Sequence, residues 1–218
     1  MDITALFKLS YGLYIIGAKD NERNIGCVVN TVMQSTSKPV TLTVCINRDN
    51  YTNVCIKKTK EFSVSILSEN IDENILSVFG FSSSKDRDKF SNVPFGLTPS
   101  GLPYINEGVT GFIQCKVIDF TENNTHTIFI AEVQEAENVS KEPPMTYEYY
   151  HKVIKGKAPK NASTYVPETE ETVNSTGSYK CSICGYIYTG TIKEFLQLPD
   201  DYKCPVCGVL KSMFKPQQ

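Results

Sequence analysis

The chain has 218 residues, 40% of them hydrophobic, enough for one medium domain with its own core and a small second one. A formal net charge of −2 lacks the basic excess of a nucleic-acid binder and leaves small molecules and proteins as the expected ligands. The start, Met1-Asp2-Ile3-Thr4, carries no basic leader, and the longest apolar run, Leu13 to Ala18, is too short to span a bilayer, so a cytoplasmic protein without membrane contact is expected.

Asp2 can cap a short helix running to Leu9, in which Ile3, Leu6 and Phe7 keep helical spacing. Six β-rich runs follow: Gly12–Ala18, Ile25–Asn30, Thr41–Ile46, Phe62–Leu67, Gly111–Phe120 and His126–Glu135. Asp20-Asn21 and Glu122-Asn123-Asn124 punctuate them as turns. Helical patterns fill three gaps, Thr52–Lys58, Asp72–Phe79 and Tyr147–Ile154. Many strands with few intervening helices predict a mainly β fold closed as a barrel, not a βαβ sheet. Cys27, Cys45, Cys55 and Cys115 fall within apolar patterns and read as small buried hydrophobes kept reduced.

Asn30 to Pro39 sets hydroxyls and amides between two apolar strands, where they can offer donors to a polar, planar ligand lying against the sheet. Asn47-Arg48-Asp49-Asn50-Tyr51-Thr52 leads into a helix whose free N–H groups and hydroxyl could receive a phosphate. Neither a G-x-G-x-x-G nor a P-loop occurs, so a nucleotide must be held by other means. From Gly156 to Gly177 the composition turns to Lys, Pro, Ser, Thr, Asn and Glu, the mark of a tether, although Tyr165 and Val166 are unlike a pure linker. As a flexible coil of that length it would span roughly 25 Å. Domains are therefore expected at 1–157 and 178–218, with 158–177 between them.

The last segment places two cysteine pairs, Cys181-Ser-Ile-Cys184-Gly185 and Cys204-Pro-Val-Cys207-Gly208. Four thiolates so spaced suit a tetrahedral ion, and each trailing Gly permits the turn that aims backbone N–H groups at sulfur. Spacing alone serves structural zinc as readily as redox iron.

The residues around these ligands, Tyr179-x-Cys181-x-x-Cys184-Gly185-Tyr186-x-Tyr188 and Leu198-Pro199-Asp200-Asp201-Tyr202-x-Cys204-Pro205-x-Cys207-Gly208, with Lys211 and Phe214 beyond, resemble rubredoxin. Two departures stand out: a short Gly185–Lys203 connection, and Tyr202 where Trp is usual. The resemblance implies one iron on Cys181, Cys184, Cys204 and Cys207, carrying single electrons.

Residues 1 to about 157 resemble the flavin reductase-like FMN-binding family, especially its ferric-reductase and flavoredoxin branch. The matching strings include Leu9-Ser10-Tyr11-Gly12, Asn30-Thr31-Val32-x-Gln34-x-Thr36-Ser37-Lys38-Pro39, Phe79-Gly80-Phe81, Asp88-Lys89-Phe90, Thr125-His126-Thr127-Ile128-Phe129 and Thr146-Tyr147-x-Tyr149-Tyr150-His151. The resemblance implies a six-stranded split β-barrel with peripheral helices, forming a homodimer with FMN near the subunit interface. On that template Asn30, Thr31, Gln34, Ser35 and Thr36 line the ring and ribityl chain, Cys45 and Asn47 contact the ring side, and Tyr51 with Thr52 approaches the phosphate. Ser83, Ser84, Arg87 and Lys89 add polar or positive contacts. His126 orients the nicotinamide of NADH or NADPH, while His151 is expected to pack. The joined architecture resembles the high-molecular-weight rubredoxins, implying an electron-transfer oxidoreductase whose redox partner is a protein such as a flavodiiron oxygen or nitric oxide reductase.

Overall fold

Eleven strands and four α-helices organise the chain in this computed structural model, which describes residues 3–154, 156, 158–159, 161–165, 179–190 and 192–216. The strands are β1 (Tyr14–Asp20), β2 (Arg23–Val29), β3 (Val32–Ser37), β4 (Val40–Asn47), β5 (Glu61–Leu67), β6 (Phe95–Leu97), β7 (Pro103–Ile105), β8 (Val109–Asn123), β9 (His126–Asn138), β10 (Tyr179–Cys181) and β11 (Phe214–Pro216). The helices are α1 (Tyr51–Thr59), α2 (Glu73–Phe81), α3 (Tyr147–Lys152) and α4 (Ile192–Gln197). A 3₁₀ turn, Ile3–Lys8, takes the place of the expected first helix, and its proposed cap Asp2 lies outside the described residues.

Seven strands pair in the order β2-β1-β5-β8-β9-β4-β3, and every pairing is antiparallel. That is one strand more than the six read from the sequence, the addition being β3. β2 and β3 stand at opposite ends of this order, yet only Asn30 and Thr31 separate them in the chain. Three Cα steps reach at most about 11 Å. The sheet must therefore curl until its two edges meet at Asn30-Thr31, and no ladder joins β2 to β3 among the described residues. This is a barrel split along one seam.

Alternation along the strands fills the inside with Ile16, Ile25, Val44, Ile46, Phe62, Val64 and Phe129, against which α1 packs Cys55 and Ile56. Cys27 and Cys115 are buried there as expected. A second cluster on the outer face joins Leu13, Ile15, Leu67, Leu76, Phe79 and Met145, so α2 and α3 cover what the sheet leaves apolar. Asp72 caps α2 by accepting from the Asn74 N–H, and Thr146 caps α3 by accepting from Tyr149.

The cysteine-rich segment folds round its own small core. Phe195 and Phe214 are buried with Cys181 and Cys204, and Tyr179, Tyr186, Tyr188 and Tyr202 pack against them. Tyr179 stacks on Phe195 with ring centroids 4.0 Å apart, and β10 pairs with β11 beside them. Aromatic area does here what a longer connection between the knuckles would otherwise do.

Candidate flavin cavity and cysteine metal centre

A cavity of about 730 Å³ lies beside the seam, bounded by the start of α1, the end of α2 and the first residues of α3. Leu13, Val28, Ile46, Leu76 and Phe79 supply an apolar slot, and Asn30, Asn47, Asn50, Ser83 and His126 supply a polar rim. Volume and lining suit a flat heteroaromatic ring, since ligand pockets of about 300–1,000 Å³ combine apolar walls with a few placed polar groups. At its α1 end Asn50 caps the helix by accepting from the Thr52 N–H at 3.0 Å. Thr52 Oγ1 is fully buried and has no hydrogen-bond partner among the described residues.

Pairing of β4 with β9 sets Asn47 opposite His126. Burial pushes the His126 imidazole below its ordinary range, opposed by the Asn161 backbone, so the ring is neutral at pH 7. Thr125 Oγ1 lies 2.9 Å from its Nδ1. Cys45, half-buried on the same wall, has its thiol pushed up by burial and is protonated rather than nucleophilic.

Thus Asn30, Cys45, Asn47, Tyr51, Ser83 and His126, six of the residues singled out from the sequence, line one cavity. The Tyr51 hydroxyl itself is committed to Asp20 Oδ2 at 2.8 Å. Thr31 lies behind the rim and donates to Asn30 Oδ1 at 3.0 Å. Gln34, Ser35 and Thr36 stand apart on β3, an exposed strand: Ser35 Oγ bonds Thr43 Oγ1 at 2.6 Å, and Thr36 Oγ1 bonds Thr41 Oγ1 at 2.7 Å. Ser84 and Lys89 are buried inside the fold. Ser84 Oγ donates to the Gly26 carbonyl at 2.9 Å, and Lys89 Nζ donates to Gly26 O at 2.9 Å and Phe79 O at 3.1 Å. Arg87 borders a different cavity, beyond α2. His151 packs as expected, edge-on to Tyr147 and with Nδ1 2.8 Å from the Gly156 carbonyl.

Sequence reasoning passed over Tyr147 as a cavity residue, and also Pro159 and Asn161 to Ser163. The Tyr147 hydroxyl accepts from Thr164 Oγ1 at 2.7 Å. Tyr165 was the one signal that the segment docks, since a solvated tether has no use for a large ring.

In the small domain the Sγ atoms of Cys181, Cys184, Cys204 and Cys207 all lie within 4.8 Å of one another. Cys181 and Cys207 are 3.5 Å apart, and Cys184 and Cys204 are 3.6 Å apart. A tetrahedron with metal–sulfur bonds of about 2.3 Å has edges of about 3.8 Å, so the donor set fits one soft ion. The two C-x-x-C turns are alike: Gly185 (φ 79°) returns its N–H to Cys181 O, and Gly208 (φ 69°) returns its N–H to Cys204 O. The Tyr186 backbone N–H reaches Cys184, Val206 and Cys207 reach Cys204, and Val209 reaches Cys207. Such N–H donors stabilise thiolate charge and tune the potential of an iron–sulfur centre. Hydrogen bonding from the Cys184 thiol, with those backbone donors, draws Cys204 down to about 5.

The knuckle residues Lys180 to Gly185, together with Lys215, line the same cavity as Asn47 and His126. Two metal ligands, Cys181 and Cys184, therefore border the barrel's ligand site.

Residues 6–156 match the model of the flavin reductase like domain, and residues 179–215 match that of the rubrerythrin, rubredoxin-like domain. High molecular weight rubredoxin of Moorella thermoacetica is 38% identical over 86% of this chain and 83% of its own length. Ferric-chelate reductase (NAD(P)H) of Archaeoglobus fulgidus is 37% identical over 76% of this chain and 98% of its own length. Among solved structures, flavoredoxin of Methanosarcina acetivorans superposes with a TM-score of 0.55 at 20% identity, over 62% of this chain and 74% of that one.

Proposed function

Since the chain belongs to the flavin reductase like family and carries a rubredoxin-like domain behind the barrel, we propose that this flavoprotein oxidoreductase takes electrons from NADH or NADPH. It passes them through FMN to a Cys₄ iron, and from there to an acceptor protein. FMN, when bound, accepts two electrons as a single hydride and can release them one at a time, and a rubredoxin-type iron carries one. The residues of the chain do the rest. Asn30 and Asn47 would orient the ring across the apolar slot, and the first turn of α1, with Asn50 and Tyr51, would face the phosphate end. Neutral His126 positions the nicotinamide without acting as acid or base. A flavodiiron oxygen or nitric oxide reductase is the acceptor class that the joined architecture favours. Homodimer formation through β3 would bring Gln34, Ser35 and Thr36 to a second copy's cavity.

One observation carries this reading: Cys181 and Cys184 border the cavity that holds Asn47, His126 and Tyr147, so the metal centre and the ring site face each other in one chain. A visible spectrum of the purified protein tests it. Flavin bands overlaid on ferric-thiolate absorption, both bleached by nicotinamide, are the expected result; flavin bands alone, with zinc by metal analysis, would make the tail a structural ribbon.

The Archaeoglobus relative favours a second reading, because nearly its whole length is matched while this chain extends further. The barrel would then reduce free flavin or ferric chelates directly. Loss of FMN on dilution, with added flavin reduced faster than any protein acceptor, would select that reading.

A further inference from the structure

The segment 159–165 has the composition of a tether but the bonding of a wall. After α3 the chain turns back at Gly156, whose N–H donates to Tyr150 O at 3.0 Å; a Cβ there would meet the Tyr150 ring at 2.0 Å, so only glycine allows this return. Two tight turns follow, Ala162 N–H to Pro159 O at 2.9 Å and Tyr165 N–H to Ala162 O at 3.1 Å. They lay Asn161 to Ser163 along the cavity.

The bonds made there go to rim residues. Asn30 Nδ2 donates to Thr164 Oγ1 at 2.8 Å, and Ser163 Oγ donates to Asn30 Oδ1 at 3.1 Å. The hydroxyls of Thr31 and Ser163 are 3.0 Å apart, and Asn47 Nδ2 donates to the Asn161 carbonyl at 3.3 Å. Thr164 commits its single proton to the Tyr147 hydroxyl, so its oxygen is left to accept, which fixes the orientation of the Asn30 amide. Asn30 is 7% exposed under this cover. The strap thus holds both rim amides, and Asn161, Ala162 and Ser163 present a surface to whatever fills the cavity.

We propose that Pro159 and Asn161 to Tyr165 form a flavin-retaining strap, the outer wall of the isoalloxazine site, in which Ser163 and Thr164 are positioning residues that act through Asn30. This rests on the flavin reading above. Its consequence is that cofactor affinity is set partly by residues beyond the stretch matching the flavin reductase like domain.

The test uses the full chain. In Ser163→Ala/Thr164→Val, three neutral hydrogen bonds at the rim are lost, and FMN affinity measured by flavin fluorescence should fall on the order of tenfold or more. Thr164→Ser, which keeps the hydroxyl, should bind FMN as wild type does. The metal absorption of the double variant should be unchanged. Wild-type affinity in the double variant would overturn the strap while leaving the flavin reading intact; a wild type that binds no FMN would overturn both. Amide exchange on the wild type settles the matter should the variant misfold. FMN should slow exchange across 161–165, and equal exchange with and without FMN would return the segment to a tether.

Discussion

Asn47 and His126 face each other across the β4–β9 ladder, and the Asn161 backbone reaches both: Asn47 Nδ2 donates to its carbonyl at 3.3 Å, and its bond to the imidazole counters part of the effect of burial. The amide that would orient a ring and the imidazole that would orient its reductant are thus held by one peptide group. His126→Ala should slow reduction by nicotinamide on the order of tenfold or more, because a misplaced donor loses rate steeply. FMN content and reduction by dithionite should be unchanged. Stopped-flow traces at saturating nicotinamide decide, and equal rates would make His126 a strand-start residue without a part in turnover.

Cys204→Ser should separate the half-reactions. A hydroxyl in place of one soft thiolate weakens the sulfur tetrahedron, and the small domain loses part of what orders it. The barrel has its own core, so nicotinamide should still bleach the flavin at a near-normal rate. Acceptor turnover should nearly vanish; turnover matching wild type, with FMN content confirmed, would mean electrons leave the flavin directly.

Lys89 is 3% exposed, and burial pulls its ammonium down to about 8, with Gly26 O and Phe79 O as its hydrogen-bond acceptors. With the folded-state pKa depressed, the unfolded chain binds more protons between about pH 8 and the ordinary lysine value. Stability contributed by this group therefore rises with pH across that window, by up to about 3 kcal/mol. Thermal unfolding of wild type and Lys89→Met at pH 7.5 and 10 gives the measurement. Relative to the variant, wild type should gain; a constant difference would mean that Lys89 titrates normally.

β3 is a two-sided problem for a monomer, an edge strand with Met33 64% exposed, beside Val40 at the start of β4, itself 40% exposed. Met33→Asp should shift the protein toward monomer in sedimentation and weaken FMN binding with it. A variant that remains dimeric with full occupancy would place the interface elsewhere.

β3 also shows where the sequence stops being legible. Val32-Met33-Gln34-Ser35-Thr36-Ser37 lacks the alternation of a half-buried strand, because all but Val32 is exposed in the monomer and a bulge interrupts its register between Gln34 and Thr36. It therefore reads as a loop. β1, β2, β4 and β5 were visible because one face of each meets Ile56, Phe62 or Phe129, and α1 and α2 because Asn50 and Asp72 announce their starts. Ser84 and Lys89 illustrate the opposite failure. A polar residue in a matching string looks like a ligand contact, and only coordinates show that its partner is Gly26. The four metal cysteines are legible because each C-x-x-C pair closes on itself within one turn.

Closure of the barrel at Asn30-Thr31 turns the ring site into a clasp on a hoop. The sheet's two edges are held together by one short joint, so a ligand gripping that joint opposes the opening of all seven strands at once. Any ligand specific to the folded state adds RT ln(1 + [L]/Kd), about 2.7 kcal/mol at a hundredfold excess over Kd. Emptying the clasp should therefore be felt first as fraying of β2 and β3 away from the joint, long before the central β8–β9 hairpin loosens.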